Sequence, residues 1–574
     1  MEKVYDKITP TERLIRLFKP DKTEIRNVYL YALLSGLVYL SLPLGIQAIV
    51  NLIQGGSINT AWVVLVVLVV AGVGVNGVLN IFQLRTVENL QQKVFVRAAF
   101  EFAYRLPRIK MEVLYKNYAL DLVNRFFDVV SVQKGMAKLL IDFTTAMLQV
   151  VFGVLLLSFY HPFFILFGIV LVVIVYAIIR YSFPKGLTTS LNESKQKYRL
   201  AYWLEEIART YQSFKLNTES ELALQKTNTI TDDYVRDRES HFRILVRQYS
   251  LLVFFKVIVA AGLLAIGGIL VMEQLMNIGQ FVAAEIIILT IISSVEKLIM
   301  SLENIYDIIT GLEKIAQVTD LELEENGSTP LEVDEDAYGI DVKFNDVTFT
   351  YPNYYKPSLE NLNLQIPAGG RMGVTGKNGS GKSTFVQILA GYYDIKYGNL
   401  LYNNQTRSIL DLNSLRKHLG VYYSEVDLFE GTFEENITMG REGIDRQQLD
   451  KVCHDLFLHD FVKSLPDGIK TKLDPQGEKL PRNISQKIFL ARAIIGKPKL
   501  LIIDSQLEDI DENEASLITD YLTDRNKKWT LIWVTSSRKV LKKMDNVVYL
   551  KNGQVAELAP YQQLKELNGG AKNA

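Results

Sequence analysis

The run Gly376-Lys377-Asn378-Gly379-Ser380-Gly381-Lys382-Ser383-Thr384 is the densest chemical signal in the chain. Glycines at these spacings let a backbone curl so that successive N–H groups point at one anion, and a helix N-terminus adds positive potential there. A lysine and a serine at the end of such a loop suit the β- and γ-phosphates of a nucleotide and its Mg²⁺. Lys382 is therefore the expected phosphate ligand and Ser383 an expected metal ligand.

Such a loop works only between a strand and a helix. The run Arg371-Met-Gly-Val-Thr before it reads as a strand, and Phe385 to Ala390 after it as a helix. A second apolar run, Pro498-Lys-Leu-Leu-Ile-Ile-Asp504, ends in an acid. A carboxylate at the C-terminal end of a strand beside the P-loop strand is placed to hold the metal, so Asp504 joins Ser383 in the expected Mg²⁺ site. The alternation Val342-Lys-Phe-Asn-Asp-Val-Thr-Phe-Thr-Tyr351 reads as a further strand. Together these predict an α/β P-loop NTPase domain that takes ATP and Mg²⁺.

That domain is only the last part of 574 residues, too many for one hydrophobic core. Long apolar runs such as Trp62 to Val75 and Phe163 to Ile179 crowd the first half, and the mean hydropathy is +0.11. Lys and Arg number 63 and Asp and Glu 63, which argues against a nucleic-acid partner and against a polybasic membrane tag. One cysteine, Cys453, excludes an intrachain disulfide framework, and five histidines leave little room for a His-rich metal site. The first 26 residues lack the apolar core of a signal peptide.

Six stretches reach the roughly 20 apolar residues that a span needs: 27–53, 60–84, 137–160, 163–183, 250–273 and 277–302. They pair across short connections without Lys or Arg, from Gln54 to Asn59, at His161–Pro162, and from Gln274 to Met276. Long charged stretches, Arg85 to Gly135 and Pro184 to Tyr249, separate the pairs and are expected in the cytoplasm with both termini. Their periodicity predicts spanning helices that continue well beyond the membrane, turning at Met111 to Tyr118 and at Arg209 to Leu216. Charges within spans are costly. Lys256 and Glu296 stand at similar depths on antiparallel neighbours and are expected to pair, whereas Glu285 has no obvious partner and suits a cavity. Before the first span, Leu14, Ile15, Leu17 and Phe18 among Arg13 and Arg16 predict an elbow helix lying on membrane lipid.

The domain plan is thus an N-terminal segment 1–26, a six-helix membrane domain 27–319, an acidic linker 320–340, and a nucleotide-binding domain 341–574 with a helical subdomain. This order resembles the ABC exporter half-transporters over nearly the whole chain. Tyr351, in Phe-Thr-Tyr-Pro, matches the family's adenine-stacking aromatic. Leu428-Phe-Glu-Gly-Thr-Phe-Glu-Glu-Asn-Ile437 resembles the opening of the helical subdomain, Thr471 to Leu480 with Gly477 the approach to the signature, and Gln486-Lys-Ile-Phe-Leu-Ala-Arg-Ala-Ile494 the helix behind it.

The departures from the family concern catalysis. Ser424 stands where the Q-loop glutamine is expected, Ser505 at the position of the general base, and Ser536 at that of the switch histidine. The signature Leu-Ser-Gly-Gly-Gln becomes Leu480-Pro481-Arg482-Asn483-Ile484. A serine in place of a positioned base forfeits about 10² to 10⁴ in rate. Pro481 also removes a backbone donor from the loop that, in the family, grips the γ-phosphate on a second domain.

The resemblance therefore implies two alternatives. One is an exporter subunit, acting as a homodimer or with a second half-transporter, that binds ATP·Mg²⁺ and hydrolyses it weakly or not at all. The other is a non-hydrolysing scaffold or regulator gated by ATP. Met276-Asn-Ile-Gly-Gln-Phe-Val-Ala-Ala-Glu285 and Ser294-Val-Glu-Lys-Leu-Ile299 are also similar to the sixth span of hemolysin-type secretion exporters without the peptidase domain. That likeness implies a bacterial inner membrane, a peptide or protein cargo, a periplasmic adaptor protein and an outer-membrane channel.

Overall fold

The computed structural model describes residues 9–54, 60–115, 117–217, 219–334, 336–423, 427–477, 479–504 and 506–564. The chain divides into two compact units, one of Met1–Arg108 with Asn117–Leu321, the other of Ile109–Lys116 with Glu322–Ala574.

The first unit is helical. Six of its helical segments are long and apolar enough to cross a membrane: Ile15–Gln54, Thr60–Arg108, Ala119–Ser158, Phe163–Arg209, Leu222–Met272 and Ile278–Thr319. Each overlaps one of the expected spans, three of which overrun their helix: 137–160 ends two residues beyond Ser158, 250–273 one beyond Met272, and 277–302 begins one residue early, at the N-cap Asn277. At 1.5 Å per residue the 46-residue helix Thr60–Arg105 runs about 69 Å, more than twice a hydrocarbon core of about 30 Å. Phe163–Arg209 and Leu222–Gly262 are similarly long. The charged stretches are thus largely continuations of spans, as their periodicity predicts. The expected corners carry short helices, Met111–Leu114 and Tyr211–Leu216. The connection at 55–59 lies outside the described residues.

The first span is broken into Lys22–Tyr39 and Ser41–Gln54. Pro43 supplies the reason: it has no N–H to give the carbonyl of Tyr39 four residues back. The elbow helix Pro10–Phe18 is closed by a capping box in which Thr9 and Glu12 satisfy each other's backbone N–H.

The sixth helix, Ile278–Thr319, is the most buried of the six and collects the others around it. Small residues admit its side chains. A Cβ on Gly153 would stand 2.8 Å from Ile291, so the two helices meet where only a glycine fits. Lys256 Nζ lies 2.6 Å from Glu296 Oε2. Glu285 is half-buried and has no ion-pair partner among the described residues.

The second unit is α/β. Its main sheet has the order Gln554–Ala559, Asn546–Lys551, Arg371–Gly376, Thr530–Val534, Leu500–Asp504, Leu419–Tyr423, parallel except for the antiparallel hairpin at the first edge. Leu500–Ile503 and Thr530–Val534 are buried without alternation because the central parallel strands are covered on both faces. A second sheet pairs Val342–Phe349 with Leu359–Ile366 and Tyr397–Tyr402. The helical subdomain contains Phe433–Thr438, Arg446–Asp455, His459–Ser464 and Arg482–Ile494.

One sequence expectation is corrected here. Asp504 does not end a strand adjacent to the P-loop strand, because Thr530–Val534 intervenes and pairs with both. The stretch expected as a linker lies at the division between the units and, from Glu322 on, belongs to the second. Glu324 holds Arg416 through two 2.7 Å hydrogen bonds, Leu331 is buried, and Thr329 pairs with Leu410. Within the same unit Ile109 bridges to Leu323, Lys110 reaches Glu325 at 2.7 Å, and Met111 packs on the core.

Candidate nucleotide-binding site

The strand Arg371–Gly376 delivers the chain into a loop that closes onto the helix Lys382–Leu389. Two glycines are required by the path. Gly381 caps the helix at φ +101°, and a Cβ there would meet the Ser358 carbonyl oxygen at 2.6 Å. Gly376 stands at φ +152°, with the Leu550 carbonyl oxygen 2.3 Å from any Cβ. Side chains other than hydrogen are excluded at both by strain and by collision.

Lys382 Nζ donates to the carbonyl oxygens of Gly376 at 2.8 Å and Lys377 at 2.9 Å, which folds the ammonium over the loop. Burial lowers its pKa below the usual lysine value, and the Asp504 carboxylate offsets part of that. Ser380 is buried, and its Oγ finds no hydrogen-bond partner among the described residues. A buried hydroxyl inside a curl of glycines, beside a poised ammonium, fits a phosphate group. Ser383 is exposed at the first turn of the helix, and Asp504 is half-buried at its strand's end.

A cavity of about 580 Å³ opens over the loop. Asn378, Gly379, Gly381, Lys382, Ser383 and Thr384 line it, together with Tyr354, Lys356, Ser358, Asn552 and Gly553. The last five were not anticipated. The Asn-Tyr-Tyr-Lys run after Phe-Thr-Tyr-Pro and the Asn-Gly turn at 552–553 are plain turn signals, and only the tertiary fold brings them to the loop.

Tyr351 does not line this cavity. Its hydroxyl donates to Gln387 Oε1 at 2.7 Å and lies 3.1 Å from Thr384 Oγ1, while the Tyr115 ring stacks on it at 5.5 Å and 21°. Phe349 and Tyr393 meet it edge to face.

The positions that the resemblance implies for the catalytic groups are as follows. Ser536 Oγ donates to Gln506 Oε1 at 2.8 Å, so the hydroxyl at the switch position is engaged by a neighbour. Ser424 and Ser505 lie outside the described residues. In the segment expected to stand at the signature position, Pro481 is the N-cap of Arg482–Ile494 and offers no side-chain cap. Arg482 is exposed, and Asn483 Oδ1 accepts the N–H of Ile484 at 2.9 Å. Leu480 N–H closes a turn on Gly477 at 2.8 Å.

Two family models match the chain: ABC transporter transmembrane region over residues 26–295, and ABC transporter over 359–507. Among curated relatives, an uncharacterized ABC transporter ATP-binding protein of Sinorhizobium fredii is 28% identical over 312 residues, 54% of this chain and 52% of that protein. The ATP-dependent lipid A-core flippase of Escherichia coli is 31% identical over 230 residues, 40% of each chain. Multidrug resistance protein pgp-1 of Caenorhabditis elegans is 32% identical over 230 residues, 40% of this chain and 17% of its own length. The matched part thus spans between about a sixth and a half of these relatives. A solved bacterial Atm1-family ABC exporter with ATP bound superposes with a TM-score of 0.84 at 18% identity, covering 96% of this chain and 98% of that one, and shares the fold. With a transmembrane region followed by an ATP-binding domain, and both parts matched in that order, the chain belongs to the ABC transporter family as a half-transporter.

Proposed function

We propose that the chain is an exporter subunit that binds ATP with Mg²⁺, pairs with a second half-transporter chain, either a copy of itself or a sister, and moves a substrate across the membrane with slow or absent ATP turnover. The observation that carries this reading is the contrast at one site. The loop from Gly376 to Thr384 keeps every feature needed to hold phosphates, while Ser505 and Ser536 replace the two side chains that would act on water and the γ-phosphate. In this reading Lys382 neutralises the β- and γ-phosphates, the first-turn amides of Lys382, Ser383 and Thr384 orient them, and Ser383 with Asp504 holds the Mg²⁺. The metal supplies charge neutralisation when bound. Nothing at Ser505 or Ser536 accepts a proton from water near neutral pH.

The test is made on the full chain in nanodiscs. Mg²⁺-ATP binding is expected, with a loss of about 100-fold or more in Lys382→Ala, and phosphate release close to that variant's background. Wild-type binding no tighter than Lys382→Ala would end the reading. A second reading, a non-hydrolysing scaffold or regulator, is favoured by Pro481 and Arg482, which alter the surface offered to a partner's nucleotide. ATP-dependent movement of any cargo in vesicles would remove it. The likeness of 276–299 to hemolysin-type exporters supports a peptide or protein cargo, residence in a bacterial inner membrane, and an adaptor protein with an outer-membrane channel. Cross-linking in intact cells should capture the adaptor.

A further inference from the structure

We infer that the end of the main sheet opposite the glycine loop carries a second anion site, built for a small soluble molecule with two or more phosphate groups. The inference is independent of the ATP reading. Three observations carry it.

The first is convergence. The strands Leu419–Tyr423, Leu500–Asp504 and Thr530–Val534 are parallel and start level, Leu419 pairing with Leu500 and Leu500 with Thr530. The residues just before them are Lys417-His418, Lys497-Pro498-Lys499 and Lys527-Lys528-Trp529. Backbone bonds hold these turns side by side: the His418 carbonyl accepts the Lys499 N–H at 2.8 Å, and the Lys499 carbonyl accepts the Thr530 N–H at 2.9 Å. The glycine loop follows the C-terminal end of Arg371–Gly376, which runs parallel to Thr530–Val534. A length of five-residue strand, about 16 Å, thus lies between the two ends.

The second is a cavity of about 530 Å³ over these turns, bounded also by the helix Arg446–Asp455, which brings Lys451 and Asp455 to it. Six lysines line it, and Asp455 is the only carboxylate among the described lining residues. Four helices end around it, Leu412–Lys417, Arg446–Asp455, Arg482–Ile494 and Glu512–Thr523. Lysines are ordinary partners for the roughly half negative charge at each such end, so these ends together offset about two of the six. Asp455 offsets another, and Asp336, 2.8 Å from Lys528, one more. A surplus of about two positive charges is left for a ligand.

The third is how the cations are held. Lys527 Nζ stands 3.5 Å from the centre of the Tyr521 ring, and Lys499 Nζ donates to the Ala337 carbonyl at 3.0 Å. Lys417, Lys451 and Lys497 are exposed and form no ion pair among the described residues. Burial lowers the pKa of Lys527, Asp455 and Asp524 offset part of that, and Lys451 lowers it further. Burial also lowers His418, and Lys417 and Lys499 add to the effect. The cations therefore repel one another, and a bound anion relieves the repulsion. No arginine is among the described lining residues, so the planar fork that suits a carboxylate is missing. Ammonium groups are compact charges with three donors each, which suits phosphate oxygens, and the surplus calls for more than one phosphate.

The test uses the full chain carrying Lys382→Ala, which removes the ammonium of the glycine loop, in nanodiscs of zwitterionic lipid without nucleotide. Pyrophosphate is the probe, titrated by calorimetry. It is expected to bind this parent, and to bind about 10-fold or more weakly when Lys451→Gln and Lys497→Gln are added. It should also raise the thermal unfolding midpoint of the parent and not that of the added pair. Absence of binding to the parent overturns the inference, as does equal affinity in the added pair. Tricarballylate, a tricarboxylate, should bind more weakly than pyrophosphate, and equal affinity would leave only diffuse charge and no phosphate site. The titration is then repeated with anionic lipid in the nanodiscs. Unchanged affinity is expected, whereas competition would assign the cavity to a lipid headgroup and overturn the soluble ligand.

Discussion

Two helices in the second unit begin where the proposed reading places phosphate contacts, Lys382–Leu389 after the glycine loop and Arg482–Ile494 after the segment expected as the signature. At the first, Gly381 takes a left-handed conformation and leaves the first-turn amides facing the cavity, with a lysine ammonium folded above them. At the second, Pro481 has no amide to give. The Ile484 N–H is taken by Asn483 Oδ1 and by the Pro481 carbonyl at 3.0 Å, and the Ser485 N–H by the same carbonyl. Both ends close the ordinary helical bond, Phe385 N–H to the Gly381 carbonyl and Ser485 N–H to the Pro481 carbonyl, but only at the second is a further first-turn amide, that of Ile484, taken by a side chain. On the proposed reading, holding a nucleotide and turning it over would draw on different helix ends and so be separable.

The largest effect that could break this comparison is restored chemistry. Ser505→Glu with Ser536→His should raise steady-state phosphate release by about 10² to 10⁴ if the remaining machinery is sound. If the rise appears only when Pro481→Ser, Arg482→Gly and Asn483→Gly are added, the second helix is limiting, and the contrast between the two ends is sharpened. A smaller effect concerns the loop itself. Gly381→Ala places a Cβ 2.6 Å from a carbonyl at a positive φ, and should cost about 1–3 kcal/mol in stability, read from thermal unfolding. Arg482→Gly, on the exposed turn, should stay within about 1 kcal/mol.

Smaller again is the pH response. The ammonium of Lys382 is the form that binds phosphate, and burial lowers its pKa in the free protein. As pH rises through that lowered value the site empties of charge, so ATP affinity should begin to fall at a lower pH than an exposed lysine would allow, with net proton uptake on binding. Lys382→Arg should flatten the profile, since a guanidinium stays charged. The smallest expected change is none at all. Cys453 is buried beside the signature helix, and burial pushes its thiol up to about 12. It should resist a thiol reagent at pH 8 in the folded chain and in the repaired signature variants, reporting that the subdomain's packing survives the repair.

The parts of the molecule legible in the sequence are those specified by local pattern. Six apolar runs with extended periodicity, the glycine loop between a strand and a helix, and the strand ending at Asp504 all depend on neighbours within a few residues. What was hidden depends on distant pairing. Nothing near Asp504 announces that Thr530–Val534 slides between its strand and the P-loop strand. The acidic stretch from Asp320 has a linker's composition, yet Glu324 is matched to Arg416, a partner that composition does not reveal. Tyr351 could be aligned by motif, but its ring is covered by Tyr115, from a segment that lies between two spanning helices in the chain.

That same segment has a practical consequence for anyone who excises the soluble part. Ile109, Lys110 and Met111 complete the second unit, so a fragment begun at Asp341 omits both them and the Glu324 and Leu331 anchors. Even a fragment begun at Glu322 would leave Glu322, Glu325 and Asp394 without Lys110, which lies within 4 Å of all three. Repulsion among those carboxylates and an uncovered seat for a methionine would lower the stability of such a fragment, and a grafted peptide carrying residues 109–115 is the natural remedy.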